Sequence, residues 1–347
     1  MVTLRDVARR AEVSVSTASR ILSNSTKAKF AEETQIKVLQ ASLELGYHAN
    51  FAARALASGK SHIIGVVFPR FYDTPFTALA SLHILAGIEN FCSQNGYYVL
   101  LSSPHMTSGT VDINFMNMLA AGYADGLIID GHFAIDALME AIRQAGLPAV
   151  VLGYHPHPYY LRGDNFLGGR LLMEHALALG HRRIGIIGLP DGISPAADQR
   201  LAGMRAAASA QNLAFEALPR VNGRFSADGG AQAAADLLAA QPDLTALIAL
   251  NDRMAMGAIR RLQAQGWQVP QQISVMGYDD LPQAREFNPP LTTVSQQLDD
   301  WGALAMNMLV QLMDGQEPEP VVLPPKLVAR QSTAPAPLAQ TERVQTL

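Results

Sequence analysis

The sequence predicts a small all-α head followed by an α/β core of two doubly wound parallel-sheet subdomains. Three observations carry that prediction. Residues 1–46 show apolar residues at helical spacing in three short segments. From Ser61 the pattern changes to short, continuous apolar runs separated by amphipathic segments. Charge divides at nearly the same place: residues 1–60 hold nine Lys/Arg against five Asp/Glu, net +4, and the rest holds 17 against 25, net −8.

The first helix is expected from Leu4 to Ala11, because Leu4, Val7, Ala8 and Ala11 fall at i, i+3, i+4, i+7. The second covers VSVSTASRILSN (13–24), with Ser14 able to cap it. The third runs from about Glu32 to Leu45 and stops at Gly46. A gap of about three residues between the first two is a helix-turn-helix connection. NFAARALASG (50–59) is a further helix candidate, capped by Asn50 and stopped by Gly59, and it is too short to be helical without support.

Strands are expected at IIGVVF (63–68), YYVLLS (97–102), GLIID (126–130), AVVLG (149–153), RIGIIG (183–188), ALIAL (246–250) and ISVMGY (273–278). Helices are expected near 75–95, 135–146, 167–179, 197–211, 228–240 and 254–265. That many strands suit two sheets better than one. The chain should cross between them near 155–163, 287–293 and 320–328, and residues 331–347 read as a frayed tail.

Length allows two or three domains, and a 49% hydrophobic composition allows a large core. The single cysteine, Cys92, excludes an internal disulfide framework and suits a reducing compartment. MVTLRDVARR has no apolar signal segment and no apolar run is long enough to span a bilayer, so the cytoplasm is expected and a membrane partner is not. There is no G-x-G-x-x-G, G-x-S-x-G, H-E-x-x-H or C-x-x-C, and SGKS (58–61) lacks the upstream glycine of a phosphate loop. No enzyme activity, cofactor or metal is expected. His155 and His157 lie two apart in HPHPYY, with prolines beside both, and read as a crossing loop rather than as metal ligands.

On a helical wheel Val15, Ala18, Ile21 and Leu22 fall on one side of the second helix. Ser16, Ser19, Arg20 and Ser23 fall on the other, with Thr17 at the border. Short hydroxyls let a backbone approach phosphates, and the Arg20 fork fits guanine O6 and N7 in the major groove. An ordinary surface helix is the competing reading. Leu56, set among alanines, suits a wedge between base pairs entered from the minor groove, or alternatively a buried linker leucine.

TLRDVARRAEVSVSTASRILSN and ELGYHANFAARALASGKSHIIGVV resemble the N-terminus of the LacI/GalR family of bacterial transcription regulators. GHRRIGIIG (180–188), QRLAGM (199–204), ALNDRMAMGAIRRL (249–262), VPQQISVMGYDDLP (269–282) and PPLTTVSQQ (289–297) extend the resemblance over nearly the whole chain. The resemblance implies a helix-turn-helix DNA-binding domain at 1–46, a hinge helix at 47–60 and a periplasmic-binding-protein-like core at 61–330. It implies a homodimer on a palindromic double-stranded operator of about 16–20 base pairs with a central CG step. The tail has no leucine heptads, which favours a dimer over a tetramer.

By that resemblance Val15, Ser16 and Arg20 match base-reading positions, and Thr3, Thr17, Ser19 and Asn24 match phosphate contacts. Leu56 matches the minor-groove wedge and Asn50 the hinge cap. Three positions depart from the pattern: Glu12 where the turn usually has Gly, Ala18 for Val, and Ala31 for a Ser cap. Glu12 costs about 1 kcal/mol if φ is positive there, a partly right-handed turn being the alternative.

Ligands of open α/β sheets bind beyond the carboxyl ends of strands. Asn251 follows ALIAL, Asp279 follows ISVMGY, and Arg200 begins a helix. An amide, a carboxylate and a guanidinium suit vicinal hydroxyls, and Phe76 and Phe225 suit the apolar face of a sugar ring. Asn251 and Asp279 also suit a helix cap and a turn. The resemblance implies that Arg200, Asn251 and Asp279 contact an effector and that Phe225 stacks on it; Leu298 and Gly153 depart from sugar-binding members. The expected function is a ligand-regulated transcriptional repressor that responds to a small sugar or related polar ligand, with nucleosides and other small polar ligands left open by Leu298 and Gly153; a solute-binding protein or an α/β enzyme without DNA binding are the alternatives.

Overall fold

The computed structural model describes residues 2–22, 30–47, 59–69, 79–107, 110–131, 135–154 and 156–337. Two compact units result, Met1–His62 and Ile63–Leu347. The expected hinge helix and its Asn50 and Leu56 lie outside the described residues.

The head contains α1 (Leu4–Arg10), α2 (Val15–Leu22) and α3 (Glu32–Leu45). Val7, Ala8, Ala11, Ala18, Val38 and Ala41 form its core, with Leu4, Val13, Ile21 and Leu22 packed around them. Val15 does not join this side, as the wheel expected. It is the first residue of α2 and is 42% exposed.

Two helices of the head end by the same motif. After α3, Tyr47 N–H donates to Ser42 O (2.9 Å) and Gly46 N–H to Leu43 O (3.1 Å), with Gly46 at φ 61°. After α1, Val13 N–H donates to Ala8 O (3.0 Å) and Glu12 N–H to Arg9 O (3.3 Å), with Glu12 at φ 56°. The motif needs a left-handed residue. Glu12 occupies the seat that Gly46 fills without strain.

The first subdomain of the core contains β1 (Ile63–Val67), α4 (Leu79–Asn95), β2 (Tyr98–Ser102) and a small hairpin of β3 (Met106–Thr107) and β4 (Thr110–Val111). Then come α5 (Ile113–Ala120), β5 (Gly126–Gly131), α6 (Asp136–Ala145), β6 (Ala149–Gly153) and β7 (Tyr160–Gly163). The second subdomain follows with α7 (Asn165–Ala178), β8 (Ile184–Gly188), α8 (Pro195–Ala210), β9 (Arg220–Asn222), α9 (Ala227–Ala240), β10 (Ala246–Ala249), α10 (Asp252–Ala264), β11 (Ser274–Met276), α11 (Pro282–Glu286) and β12 (Thr293–Ser295). The chain returns through α12 (Leu298–Met313) and β13 (Val321–Leu323) to the first subdomain, and ends its described elements with β14 (Lys326–Val328), paired antiparallel to β12.

The sheets run β13-β7-β6-β5-β1-β2 and β11-β10-β8-β9, parallel throughout. All seven expected strands are present, and every strand but β2 among them is nearly or wholly buried, as continuous apolar runs require. Short strands such as β7 and β9 went unforeseen, because YLRG and RVN mix polar and apolar residues.

The crossings differ slightly from expectation. The first falls at the end of the expected range, between β7 and α7, because residues 160–163 form a strand of the first sheet. The second follows β12, a little beyond 287–293, and the third joins β13 to β14. The tail does not fray from residue 331. Val275 N–H donates to Ser332 O (2.8 Å), Ser332 Oγ to Val275 O (2.6 Å), and Ala336 N–H to Leu179 O (2.8 Å). The segment supplies partners to the outer edge of β11, beside the Met276–Thr292 bridge.

Helices α7 and α8 touch backbone to backbone. A Cβ on Gly169 would collide with the Arg200 carbonyl, and one on Gly203 with the Phe166 carbonyl. This contact seats the backbone of Arg200 directly on α7.

Asp252, wholly buried, ties the second crossing to the sheet. Its carboxylate accepts from Leu281 N–H (2.8 Å) and from Thr293 Oγ1 (2.5 Å). Burial, and then the neighbouring Asp279 charge, raise its pKa well above the usual carboxylate range.

Two outcomes are expected. Glu12→Gly should stabilise the head by about 0.5–1 kcal/mol, the relief of a left-handed residue less the added chain entropy. Its calorimetric transition in the full chain should move up, and an unchanged transition contradicts the strain. For Asp252, a raised folded pKa means that the folded state holds the proton more tightly. That contribution is full below the ordinary carboxylate pKa and is lost as pH rises through the folded value. Asp252→Asn keeps an oxygen for Leu281 and an amide for Thr293 without the charge. Its melting temperature relative to wild type should therefore improve from about pH 4 to about pH 8; a difference that is flat with pH contradicts the assignment.

Candidate nucleic-acid interface and ligand cleft

Ser14 begins α2 by accepting from Thr17 N–H (3.0 Å). Its hydroxyl also shares hydrogen bonds with Ser16 Oγ (2.8 Å) and Thr17 Oγ1 (2.8 Å). Val15, Ser16, Ser19 and Arg20 are all exposed, so one small apolar group, two hydroxyls and one guanidinium make the outward side of the helix. No acidic residue occupies its first turn, which leaves the positive end of the helix dipole suited to a phosphate.

Thr3 stands at the start of α1, where both its N–H (3.0 Å) and its hydroxyl (2.7 Å) donate to Asp6. Those bonds hold the exposed Asp6 carboxyl below its ordinary pKa. A phosphate contact by the Thr3 hydroxyl therefore requires it to turn away from Asp6. Asn24, Asn50 and Leu56 lie outside the described residues.

In the second sheet, β8 connects outward to β9 while β10 connects the opposite way to β11, so a switch point lies between β8 and β10. The carboxyl ends of those strands bound a crevice. Asn251 stands after β10, Asp279 after β11, Phe225 after β9, and Arg200 on the helix after β8. The structure thus brings four of the five expected ligand residues to one edge; Phe76 lies outside the described residues.

Arg200 is 6% exposed and its guanidinium lies 3.6 Å over the Tyr278 ring. Such a stack contributes about 2 kcal/mol when water is excluded. Nε donates to Asn165 Oδ1 (2.7 Å) and Nη1 to the Leu250 carbonyl. Nη2 faces Asp279 Oδ1 at 3.8 Å.

Asn251 does cap α10, since its Oδ1 accepts from Met254 N–H (2.8 Å). Its Nδ2 still points no hydrogen bond at a described residue, so cap and ligand donor are compatible roles. Asp279 takes φ 122° and Asp280 φ 60°, two consecutive strained residues. Backbone strain of this kind costs about 1–3 kcal/mol each and concentrates at binding sites. Arg330 and Arg285 hold Asp280, and Gln296 Nε2 donates to Asp279 Oδ1 (2.7 Å). Phe225 is also left-handed, at φ 50°, with its ring partly buried on the second core.

The first sheet has its own switch between β1 and β5. Asp130 stands there at the end of β5, accepting from Ser81 Oγ (3.4 Å). Sequence reading passed over Asp130, although it follows the apolar run GLII as Asn251 follows ALIAL. It also passed over Asn165, Gln296 and Tyr278, whose partners are distant in sequence and leave no local signal. His157 Nδ1 accepts from Tyr159 N–H (3.2 Å) inside the loop before β7, and no cluster of metal-binding side chains occurs among the described residues.

Residues 3–50 match the bacterial regulatory proteins of the lacI family, and residues 173–333 match a periplasmic binding protein-like domain. The HTH-type transcriptional repressor PurR of Vibrio campbellii is 32% identical over 341 residues, covering 95% of this chain and 98% of that protein. The ribose operon repressor of Haemophilus influenzae is 30% identical over 342 residues, covering 96% and 98%. A crystal structure of the lac repressor dimer bound to operator and the anti-inducer ONPF superposes with a TM-score of 0.82 at 31% identity, covering 96% of this chain and 99% of that one. With a three-helix head, a two-subdomain parallel core and end-to-end similarity to repressors, this chain belongs to the lacI family of bacterial regulatory proteins.

Proposed function

We propose that the protein is a homodimeric repressor that grips a near-palindromic operator with two copies of α2 and answers to a small sugar in the core cleft. The outward side of α2 carries this reading. Arg20 supplies the fork for guanine, Val15 meets a thymine methyl, and Ser16 lets the helix sit close to base edges. Thr3, Thr17, Ser19 and Asn24 position the head on phosphates, with Leu56 as the minor-groove wedge and Asn50 as the cap of its helix. The domain limits proposed are 1–46 for the head, 47–60 for the hinge and 61–330 for the core.

In the cleft, Arg200 and Asn251 offer N–H groups and Asp279 a carboxylate. Vicinal hydroxyls both donate and accept, so they complement this set, with Phe76 and Phe225 on an apolar ring face. The name of the Haemophilus relative, a ribose operon repressor, supports a sugar. The relatives are repressors, and no catalysis and no cofactor are assigned. The protein acts in the cytoplasm, where its DNA is, and no described helix is long and apolar enough to cross a membrane.

Full-length protein should bind a duplex from upstream of its own gene with steep salt dependence. Arg20→Ala should lose about 1–3 kcal/mol of discrimination against changed bases while keeping ligand binding. Arg200→Ala should keep DNA binding and lose the ligand response. Equal loss of both activities in either variant sinks the division of labour.

A further inference from the structure

We infer that Asn165 and Gln296, the amides at the first two crossings, are positioning residues for Arg200 and Asp279. Through them the setting of the crossings and the grip on a ligand are one equilibrium. The inference rests on the reading of the cleft given above and goes further by naming what holds its charged groups.

Stacking on Tyr278 confines the Arg200 guanidinium to a plane and leaves it free to rotate within that plane. Two hydrogen bonds stop the rotation. One goes to Leu250 O, at the end of β10 in the same subdomain. The other goes to Asn165 Oδ1, in the first residue of α7. Together they leave the Nη2 edge turned toward Asp279.

Asn165 is itself held by the other subdomain. It is 3% exposed, and its Nδ2 donates to Gly163 O (3.2 Å) and Tyr154 Oη (3.2 Å). Its backbone N–H reaches the same Tyr154 oxygen (3.3 Å), and Tyr154 in turn donates to Gly163 O (3.2 Å). Gly163 ends β7, and Tyr154 follows β6. The amide orientation is dictated, because Arg200 can only donate and Gly163 O can only accept. One side chain therefore joins the end of the first sheet to the guanidinium in the second subdomain.

Gln296 repeats the arrangement at the second crossing. It is 6% exposed, its Nε2 holds Asp279, and its backbone carbonyl accepts from Trp301 Nε1 (2.9 Å) on α12 of the first subdomain. Its Oε1 lies against Gly163, where a Cβ would come within 3.0 Å. The two amides thus meet at Gly163. Rotation of one subdomain on the other moves both, and with them the donors and acceptors a ligand grips. That supplies the differential affinity which any ligand-driven change of state requires.

The test uses full-length protein, a duplex from upstream of its gene, and a panel of ribose, glucose, galactose and cellobiose. The probe is the sugar that raises the wild-type melting temperature most. Asn165→Ala should weaken that sugar about 10-fold or more, the loss of a hydrogen bond to a charged group. Asn165→Asp keeps an acceptor for Arg200 and should recover most of the affinity. It loses the donors to Gly163 and Tyr154, so the sugar should bind yet change DNA affinity less than in wild type. Wild-type sugar affinity in Asn165→Ala overturns the inference, as does Asn165→Asp binding no better than the alanine variant. Arg200→Ala is the control: if it binds the sugar normally, the reading of the cleft has failed; if it does not while Asn165→Ala does, only the present inference has failed. Should no sugar bind wild type, a crystal structure of free Asn165→Ala decides. A guanidinium swung away from Leu250 supports the role of Asn165, and one unmoved overturns it.

Discussion

A buried guanidinium is expensive unless every side of it is answered, and Arg200 organises the second subdomain around that requirement. Tyr278 covers its face, Leu250 and Asn165 take two of its donors, and Asp279 balances its charge. These partners come from three connections of the fold: after β10, after β11 and at the first crossing. The helix that carries Arg200 lies so close because Gly169 and Gly203 have no side chains. The strained turn at Asp279 and Asp280 is tolerated because Arg330, Arg285 and Gln296 hold its carboxylates. The buried charge thus accounts for the Asn165 amide directly, and Asp279 links it to the strained loop and to Gln296.

The head follows a different economy. Its core is small and built from alanine and valine, which lets three short helices approach closely. What remains outside on α2 is short as well, apart from Arg20. Short side chains reach little but permit close approach of the helix to a surface, and Arg20 is the one long side chain among the exposed residues Val15, Ser16, Ser19 and Arg20. The positive excess of residues 1–60 over an acidic remainder keeps the attraction for a polyanion at the head.

Much of this was legible in one dimension. Continuous apolar runs located seven strands, since a strand buried on both faces must be apolar at every position. Ser14, Gly46 and the i, i+3, i+4 spacings located the helices of the head, because caps and periodicity are local properties. Asn251 and Asp279 were visible as polar residues directly after strands; Arg200 was expected at a helix start but lies in the second turn of α8, which begins at Pro195. Asp130 stood in the same relation to its strand and was overlooked. Val15 was misplaced, since a wheel records angle and not what packs against each position.

The sequence by itself determined which segments are strands and helices, where charge accumulates, and which polar side chains directly follow strands. Those depend on neighbours within a few residues. Only the tertiary structure decided that Asn165 reaches Arg200, that Gln296 reaches Asp279, and that the segment after Arg330 completes a sheet edge. Each of these joins residues 17 to 57 positions apart. Such a bond depends on how sheets and crossings are arranged in space, and no periodicity along the chain encodes it.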